Sequence, residues 1–412
     1  MSLARNIEFL RHLPKLHGLQ AWNGFARGLR SPLVEVKEFG TNPGALRMFC
    51  YVPAHLRPPK ALVVVLHGCG QTAAAYDLGT GWSTLAKHFG FALLMPEQQS
   101  ANNTHNCFNW FKLEDSKRGQ GEACSIRQMI GRMVSEHRID KRHVFITGLS
   151  AGGAMTSVML ATYPDVFAAG AIIAGLPYGV ATNVREALSG MFQSPARPSQ
   201  DLGDFVRNAS KHRGPWPKVS VWHGSADRTV NPANADEIVK QWLDVHRLPQ
   251  AAMSEGTVDG YPRQIWWNAD GETVVESYTI TDMAHGTPIG TAENDHRYGM
   301  EGAFLIEAGI SSSYHIANFF GLTDGPQMAA RPARRAATES PSAKLIPLAS
   351  PISTPIPDLA NILRPLAAAS QHSKSSGKPK TRRRRMIDVS AVITRALTAA
   401  GLMKQKSPTS RP

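Results

Sequence analysis

The chain has 412 residues and a formal net charge of +13, from 45 Lys and Arg against 32 Asp and Glu. All of this excess lies in residues 326–412, which hold 16 basic and 3 acidic residues, whereas residues 1–325 hold 29 of each sign. Residues 1–325 therefore carry no net charge, and a substrate that they bind need not be anionic. No apolar stretch of the sequence is long enough to span a bilayer.

Residues 1–40 are interpreted as an N-terminal arm that precedes the main domain. Residues 1–10 are interrupted by Arg5, Asn6 and Glu8, so they lack the apolar run that a secretion signal requires. This feature of the sequence favours a cytoplasmic location.

The first strong element is the apolar run Leu62–Leu66, which predicts a strand covered on both faces. It ends at a Gly-rich turn, residues 67–71 (His-Gly-Cys-Gly-Gln). Backbone N–H groups in such a turn can face an oxygen that becomes negative during acyl transfer. We predict the amide of Cys69 as one donor of an oxyanion hole, with its thiol incidental. A nucleophilic Cys69 is the weaker alternative, because it lacks a strand-to-helix turn.

Four cysteines in a chain of this size do not make a disulfide framework. Cys107 and Cys124 flank an aromatic loop at residues 107–111. They are the candidate pair if the compartment is oxidising.

The most informative segment is a Gly-Leu-Ser-Ala-Gly motif at residues 148–152. Apolar residues 144–147 predict a strand before it, and residues 153–160 predict a helix after it. A serine in this tight turn projects from the end of a sheet. We predict Ser150 as a nucleophile and the amide of Ala151 as the second oxyanion donor. The alternative is a glycine-rich turn with a solvated serine.

A serine nucleophile needs a base and an acid that orients the base. Residues 219–224 predict another buried strand, and Asp227 follows its carboxyl end, where α/β sheets place their chemistry. The alternative for Asp227 is a turn or helix-capping role. Residues 273–280 are strand-like, and His285 follows them in a short loop. We predict His285 as the general base.

Three other histidines downstream of Asp227 compete for the role of base. His246 and His315 fall in helix-like stretches, and His296 lies in a polar loop with no strand directly before it. The chain order Ser, Asp, His is the order expected of an α/β-hydrolase. The predicted fold class is therefore α/β, an α/β-hydrolase fold with a mostly parallel central sheet and helices on both faces.

The C-terminal part divides into two segments. Residues 323–371 are rich in Pro, Ala and Ser, which predicts a disordered linker. Residues 372–412 carry seven Lys and Arg within 374–385, followed by apolar positions at helical spacing over 389–400. Such a basic tail suits an anionic membrane or a polymer granule, with nucleic acid the least favoured partner. The other interpretation of this tail is a solvated end with no partner, and the sequence favours that interpretation.

Seven segments in family order resemble the polyhydroxybutyrate (PHB) depolymerase-like esterases of the α/β-hydrolase superfamily. They are residues 66–71, 107–111, 118–122, 148–155, 223–227, 283–287 and 309–315. The resemblance spans about residues 40–322, and the catalytic domain is placed at 41–322. It implies a triad of Ser150, Asp227 and His285, and an oxyanion hole formed by Cys69 and Ala151.

By similarity, Trp110 looks like a substrate-contacting aromatic, although on sequence alone it fits a core position equally well. The resemblance implies hydrolysis of short-chain 3-hydroxy acid esters, polymeric or oligomeric, with no metal or organic cofactor. Feruloyl or acetyl esters of plant polysaccharides are the alternative substrates. A catalytically idle fold that binds granule or envelope surfaces through its tail is the alternative function. Many relatives are exported, so the compartment is left open.

Overall fold

The computed structural model describes residues 31–58 and 60–323, and a ten-stranded sheet forms the centre of this region. Its strands are β1 Val34–Val36, β2 Arg47–Tyr51, β3 Leu62–Leu66, β4 Ala92–Glu97, β5 Val144–Leu149, β6 Ala169–Ile173, β7 Lys218–Gly224, β8 Ser254–Val258, β9 Tyr261–Trp267 and β10 Thr273–Ile280. Two short strands, β11 Thr287–Ile289 and β12 Leu305–Glu307, pair separately.

The strand order is β1-β2-β4-β3-β5-β6-β7-β10-β9-β8. Six consecutive strands in this order, β4-β3-β5-β6-β7-β10, run parallel. The strands at both edges of the sheet pair antiparallel. Parallel strands place their carboxyl ends at one edge of the sheet, so the loops that follow β3, β5, β7 and β10 meet there.

Helices cover both faces of the sheet. They are α1 Ala73–Thr80, α2 Trp82–Phe89, α3 Leu113–Ser116, α4 Gly121–His137, α5 Ala151–Thr162, α6 Val184–Gln193, α7 Ser199–Asn208, α8 Ala233–His246 and α9 Ser312–Phe319. Leu62, Val64 and Leu66 of β3 pack in the same apolar cluster as α4, α5 and α8. Val63 and Val65 pack in the opposite cluster with α1, α2 and α9. This confirms the predicted α/β-hydrolase fold.

The strands predicted at residues 62–66, 144–147, 219–224 and 273–280 are confirmed as β3, β5, β7 and β10. The helix predicted after Ser150 is confirmed as α5. The sheet starts earlier than the predicted domain, because β1 lies within the predicted arm and pairs with β2. A strand of three residues with an exposed Val34 gives no periodic signal.

The predicted linker and basic tail lie outside the described residues, as do residues 1–30, so the domain boundaries near 322 and 371 stay predictions. Within residues 31–58 and 60–323, no helix combines the length and apolarity needed to cross a bilayer.

Candidate active site

Ser150 joins β5 to α5 in a strained turn, with φ of +58° and ψ of −117°. Its N–H donates to the carbonyl of Ile173 at 2.9 Å. A Cβ on Gly152 would lie 2.4 Å from the carbonyl oxygen of Leu66, and one on Gly148 would lie 2.4 Å from that of Gly152. Both positions therefore require glycine, because β3, β5 and α5 approach each other with backbone atoms.

Asp227 and His285 follow the neighbouring parallel strands β7 and β10, and their side chains meet. The Nδ1 of His285 lies 2.7 Å from Oδ2 of Asp227. The other oxygen, Oδ1, accepts hydrogen bonds from the amides of Thr229 at 2.8 Å and Val230 at 3.0 Å. The carboxylate is thus held from both sides in one orientation.

The Asp227 carboxyl is buried, and its surroundings still favour the charged form. Burial acts to raise its pKa, but the hydrogen bonds from His223 and His285 outweigh burial and hold the pKa of Asp227 below its usual range. An ionised Asp227 accepts the Nδ1–H of His285. In the neutral ring, Nε2 of His285 is then the unprotonated nitrogen.

In the turn after β3, the amide of Cys69 has no protein partner among the described residues. The N–H of Gly70 donates to the carbonyl of His105 at 2.7 Å, and that of Gly68 donates to Oε1 of Gln71 at 2.8 Å. In the described part of the chain, neither the amide of Cys69 nor that of Ala151 donates a hydrogen bond. Two amides from different elements are thus free to bind an oxygen.

Two side chains that the sequence analysis did not assign fix this turn. Gln71 accepts from Gly68 and donates its amide N–H to the carbonyl of Ala303 at 3.1 Å. His67 is fully buried, with Nδ1 2.8 Å from the carbonyl of Gly68, and Nε2 accepts from the amide of Gln98 at 3.1 Å. Burial lowers the pKa of His67, so its ring is a neutral structural bridge.

The disulfide differs from the sequence interpretation. Cys69 is bonded to Cys107, with Cα atoms 4.2 Å apart, and Cys124 is free. The candidate pairing of Cys107 with Cys124 is therefore wrong, and the Cys69 thiol is neither incidental nor an available nucleophile. The reason is topological: the loops after β3 and β4 leave neighbouring parallel strands at the same edge, although the cysteines are 38 residues apart.

Glu122, at the start of α4, anchors the loop that carries Cys107. Its carboxylate accepts from the backbone and side-chain N–H groups of Asn109 at 2.8 and 2.7 Å, and from the side chain of Gln98 at 2.5 Å. Gln98 also donates to the carbonyl of Cys107 at 3.1 Å. Burial and the nearby Asp115 carboxyl raise the pKa of Glu122 to about 8, whereas the N–H donors favour its ionised form. In the sequence analysis, Glu122 entered only as part of the segment 118–122, which was used as evidence of the family resemblance.

Trp110 lies in the same loop and is 7% exposed. It packs in the apolar cluster that contains α4 and α5, edge-on to Phe111 with ring centroids 5.4 Å apart. The core position allowed by the sequence is therefore observed, and substrate contact by Trp110 stays a prediction.

The competing histidines lie elsewhere. His246 ends α8 and its Nε2 is 3.0 Å from the carbonyl of Pro217, and His315 of α9 pairs with Asp259 at 2.9 Å. His296 lies in a loop beside the His88 ring. Among the described contacts, the histidines that reach Asp227 are His285 and His223. The sequence analysis did not single out His223.

A family model described as "Esterase PHB depolymerase" matches residues 48–257. The chain is 47% identical over 291 residues to poly(3-hydroxyalkanoate) depolymerase C of Paucimonas lemoignei, a match that covers 70% of each protein. It is 34% identical over 263 residues to an acetylxylan esterase of Coprinopsis cinerea, covering 62% of this chain and 69% of that protein.

Among solved structures, an acetyl xylan esterase from Aspergillus awamori superimposes with a TM-score of 0.60 at 24% identity. The superposition covers 70% of this chain and 99% of that one. At this level of identity the likeness concerns the fold, and it agrees with the parallel sheet and flanking helices described above.

Proposed function

The chain belongs to the PHB depolymerase family of carboxylic ester hydrolases, and from that premise we propose that it cleaves short-chain 3-hydroxyalkanoate esters, polymeric or oligomeric, with Ser150, Asp227 and His285 as its triad. The observation that carries the triad is the 2.7 Å contact between His285 and Asp227, on loops that leave the sheet at the same edge as the Ser150 turn.

In the proposed mechanism, Oγ of Ser150 attacks the ester carbonyl carbon while Nε2 of His285 takes its proton. Asp227 stabilises the imidazolium that forms. The amides of Cys69 and Ala151 bind the oxyanion of the tetrahedral intermediate. The intermediate then collapses, and His285 returns the proton to the departing alcohol. Water attacks the acyl-enzyme by the same route and releases the 3-hydroxy acid and free Ser150.

Two observations support the substrate class. The depolymerase relative is more similar to this chain than the acetylxylan esterase relative, at 47% against 34% identity. Residues 1–325 also carry no net charge, which suits an uncharged acyl group. Feruloyl and acetyl esters of polysaccharides remain the alternative substrates.

A substrate panel tests both parts of this proposal. Hydroxybutyrate oligomers should be cleaved more than tenfold faster than feruloyl or acetyl-xylan substrates. The Ser150→Ala variant should lose about six orders of magnitude in turnover, and His285→Ala should behave similarly. A tenfold preference for either carbohydrate ester would overturn the substrate class. A Ser150→Ala enzyme within tenfold of the parent would overturn the nucleophile.

An activated short-chain ester separates catalysis from the alternative of an idle binding protein. With an activated ester, acylation is faster than deacylation, and an acyl-enzyme mechanism then gives a pre-steady-state burst of the leaving group that approaches the enzyme concentration. The absence of both burst and turnover would favour the idle fold.

We further propose that the basic tail attaches the enzyme to an anionic or particulate surface. The support is the charge distribution, because residues 326–412 hold the whole net charge of +13. Each basic residue near an anionic surface adds about 1 kcal/mol at low salt, so the seven within residues 374–385 would be sufficient for an attachment that salt weakens.

A further inference from the structure

A second imidazole contacts the same carboxylate oxygen as His285. His223 lies in β7 and is 3% exposed. Its Nε2 is 3.2 Å from Oδ2 of Asp227 and 3.0 Å from the carbonyl oxygen of Val230. Both neighbours are acceptors, so Nε2 of His223 must carry the hydrogen.

The surroundings of Nδ1, the other ring nitrogen, determine which nitrogen carries the hydrogen. Nδ1 of His223 is buried and has no hydrogen-bond partner within the described residues. A hydrogen on Nδ1 would leave a buried donor unsatisfied, which costs about 1–3 kcal/mol. The geometry therefore indicates a neutral ring with its hydrogen on Nε2. His223 is thus a fixed donor: its single N–H is hydrogen-bonded to the carbonyl of Val230, and the same Nε2 lies 3.2 Å from Oδ2 of Asp227.

The two imidazoles compete for one oxygen. Oδ1 of Asp227 is already occupied by the amides of Thr229 and Val230, so His285 and His223 share Oδ2. The N–H dipole of His223, whose Nε2 is 3.2 Å from Oδ2, stabilises negative charge on that oxygen. It thereby weakens the attraction between Asp227 and a proton held on His285.

We propose that His223 is a positioning residue that orients Asp227 and limits how strongly this carboxylate retains a proton on His285. The inference rests on the triad assigned under the proposed function. Hydrogen bonds from His223 and His285 are also what hold the pKa of Asp227 low despite its burial.

The titratable groups around His223 and Asp227 lie on three segments. Asp227 follows β7, and Asp236 lies in the first turn of α8, where burial and the neighbouring Glu237 carboxyl raise its pKa. His285 approaches from the loop after β10. If the pH profile of a His223 variant changes, the change therefore has to be attributed to one of these groups. Asp236→Asn serves as the control, because it removes the α8 carboxyl and leaves Asp227 in place.

Two substitutions at His223 separate positioning from packing. His223→Met keeps an apolar side chain of similar volume but removes the donor. His223→Gln places an amide N–H near the position of the imidazole Nε2, so it retains the donor. His223→Asn places its amide near the position of Nδ1 instead, and it replaces the Met variant if that protein fails to fold.

The measurement is the pH profile of kcat/KM for an activated short-chain ester, with full-length protein. The donor-less variant should lose about tenfold in kcat with little change in KM. Its acid limb should move to higher pH by about half a unit to one unit, because His285 then keeps its proton longer. His223→Gln should stay within threefold of the parent, with the acid limb unmoved.

An unchanged acid limb in the donor-less variant would overturn the positioning role. Equal losses in the Gln and Met variants, without a pH shift, would also overturn it and leave His223 a packing residue. An inactive parent, or a parent whose activity survives Ser150→Ala, would instead count against the proposed function.

Discussion

The turn at Ser150 illustrates how single residues determine the site. A non-glycine residue at φ of +58° is strained, and the strain is maintained by the hydrogen bond from its amide to Ile173 and by close packing of β5 against α5. The close packing is possible because Gly148 and Gly152 carry no Cβ. These two glycines therefore serve packing, whereas Ser150 supplies the reactive group.

We expect Gly152→Ala to abolish activity and to lower the yield of folded protein. A Cβ at this position would lie 2.4 and 2.5 Å from the backbone oxygens of Leu66 and His67, which cannot move without shifting β3. The measurements are ester hydrolysis and thermal unfolding. Gly131→Ala in α4 is the matched control, because its Cβ would meet only the mobile end of Arg127. The control should retain activity and gain up to about 1 kcal/mol in stability. Equal behaviour of the two variants would contradict this account of the turn.

At the scale of elements, the loops after β3 and β4 act as one unit. The Cys69–Cys107 disulfide joins them covalently, and Glu122 of α4 binds the second loop through Asn109 and Gln98. Because the Cys69 amide is a proposed oxyanion donor, its position depends on a loop almost forty residues away. The disulfide therefore links the stability of this region to the chemistry of the site.

We expect Cys107→Ser to lower kcat and to reduce the free energy of unfolding by up to about 4 kcal/mol, since a cross-link over 38 residues restricts the unfolded chain. Denaturant unfolding and ester hydrolysis measure the two effects. Cys124→Ser is the control, since Cys124 is free and only partly exposed. The parent treated with a dithiol reductant should behave like Cys107→Ser. Full turnover in Cys107→Ser would show that the disulfide does not orient the Cys69 amide.

At the scale of the whole molecule, catalysis and charge are assigned to different parts of the chain. Every residue proposed for chemistry lies between residues 69 and 285, in a body without net charge, and the positive excess lies beyond residue 325. A surface attachment through the tail would thus be independent of turnover on soluble substrates.

Truncation after Leu322 should leave hydrolysis of a soluble ester unchanged and weaken attachment to anionic vesicles or polymer granules. Attachment of the full chain should fall at high salt, because ions screen the seven basic residues at 374–385. Co-sedimentation at low and high salt, with duplex DNA as a parallel sample, measures this. Equal sedimentation of both proteins would make the tail a solvated end, and retention on DNA alone would identify nucleic acid as the partner.

The sequence by itself determined the parts of this protein that depend on local patterns. Runs of apolar residues predicted β3, β5, β7 and β10, and the Gly-x-Ser-x-Gly turn predicted the junction of β5 with α5. Since parallel strands end at one edge, these local predictions placed Asp227 and His285 at the same edge of the sheet, and the adjacency of β7 and β10 then brought them together.

Only the tertiary structure decided the partners of side chains that are distant in sequence. It paired Cys69 with Cys107 instead of Cys107 with Cys124, buried Trp110 in the core, and placed His223 on Asp227. Periodicity and turn chemistry report on a few neighbouring residues, whereas these contacts arise from the order in which strands assemble into the sheet. That order is a property of the packed molecule, and no single segment of the sequence encodes it.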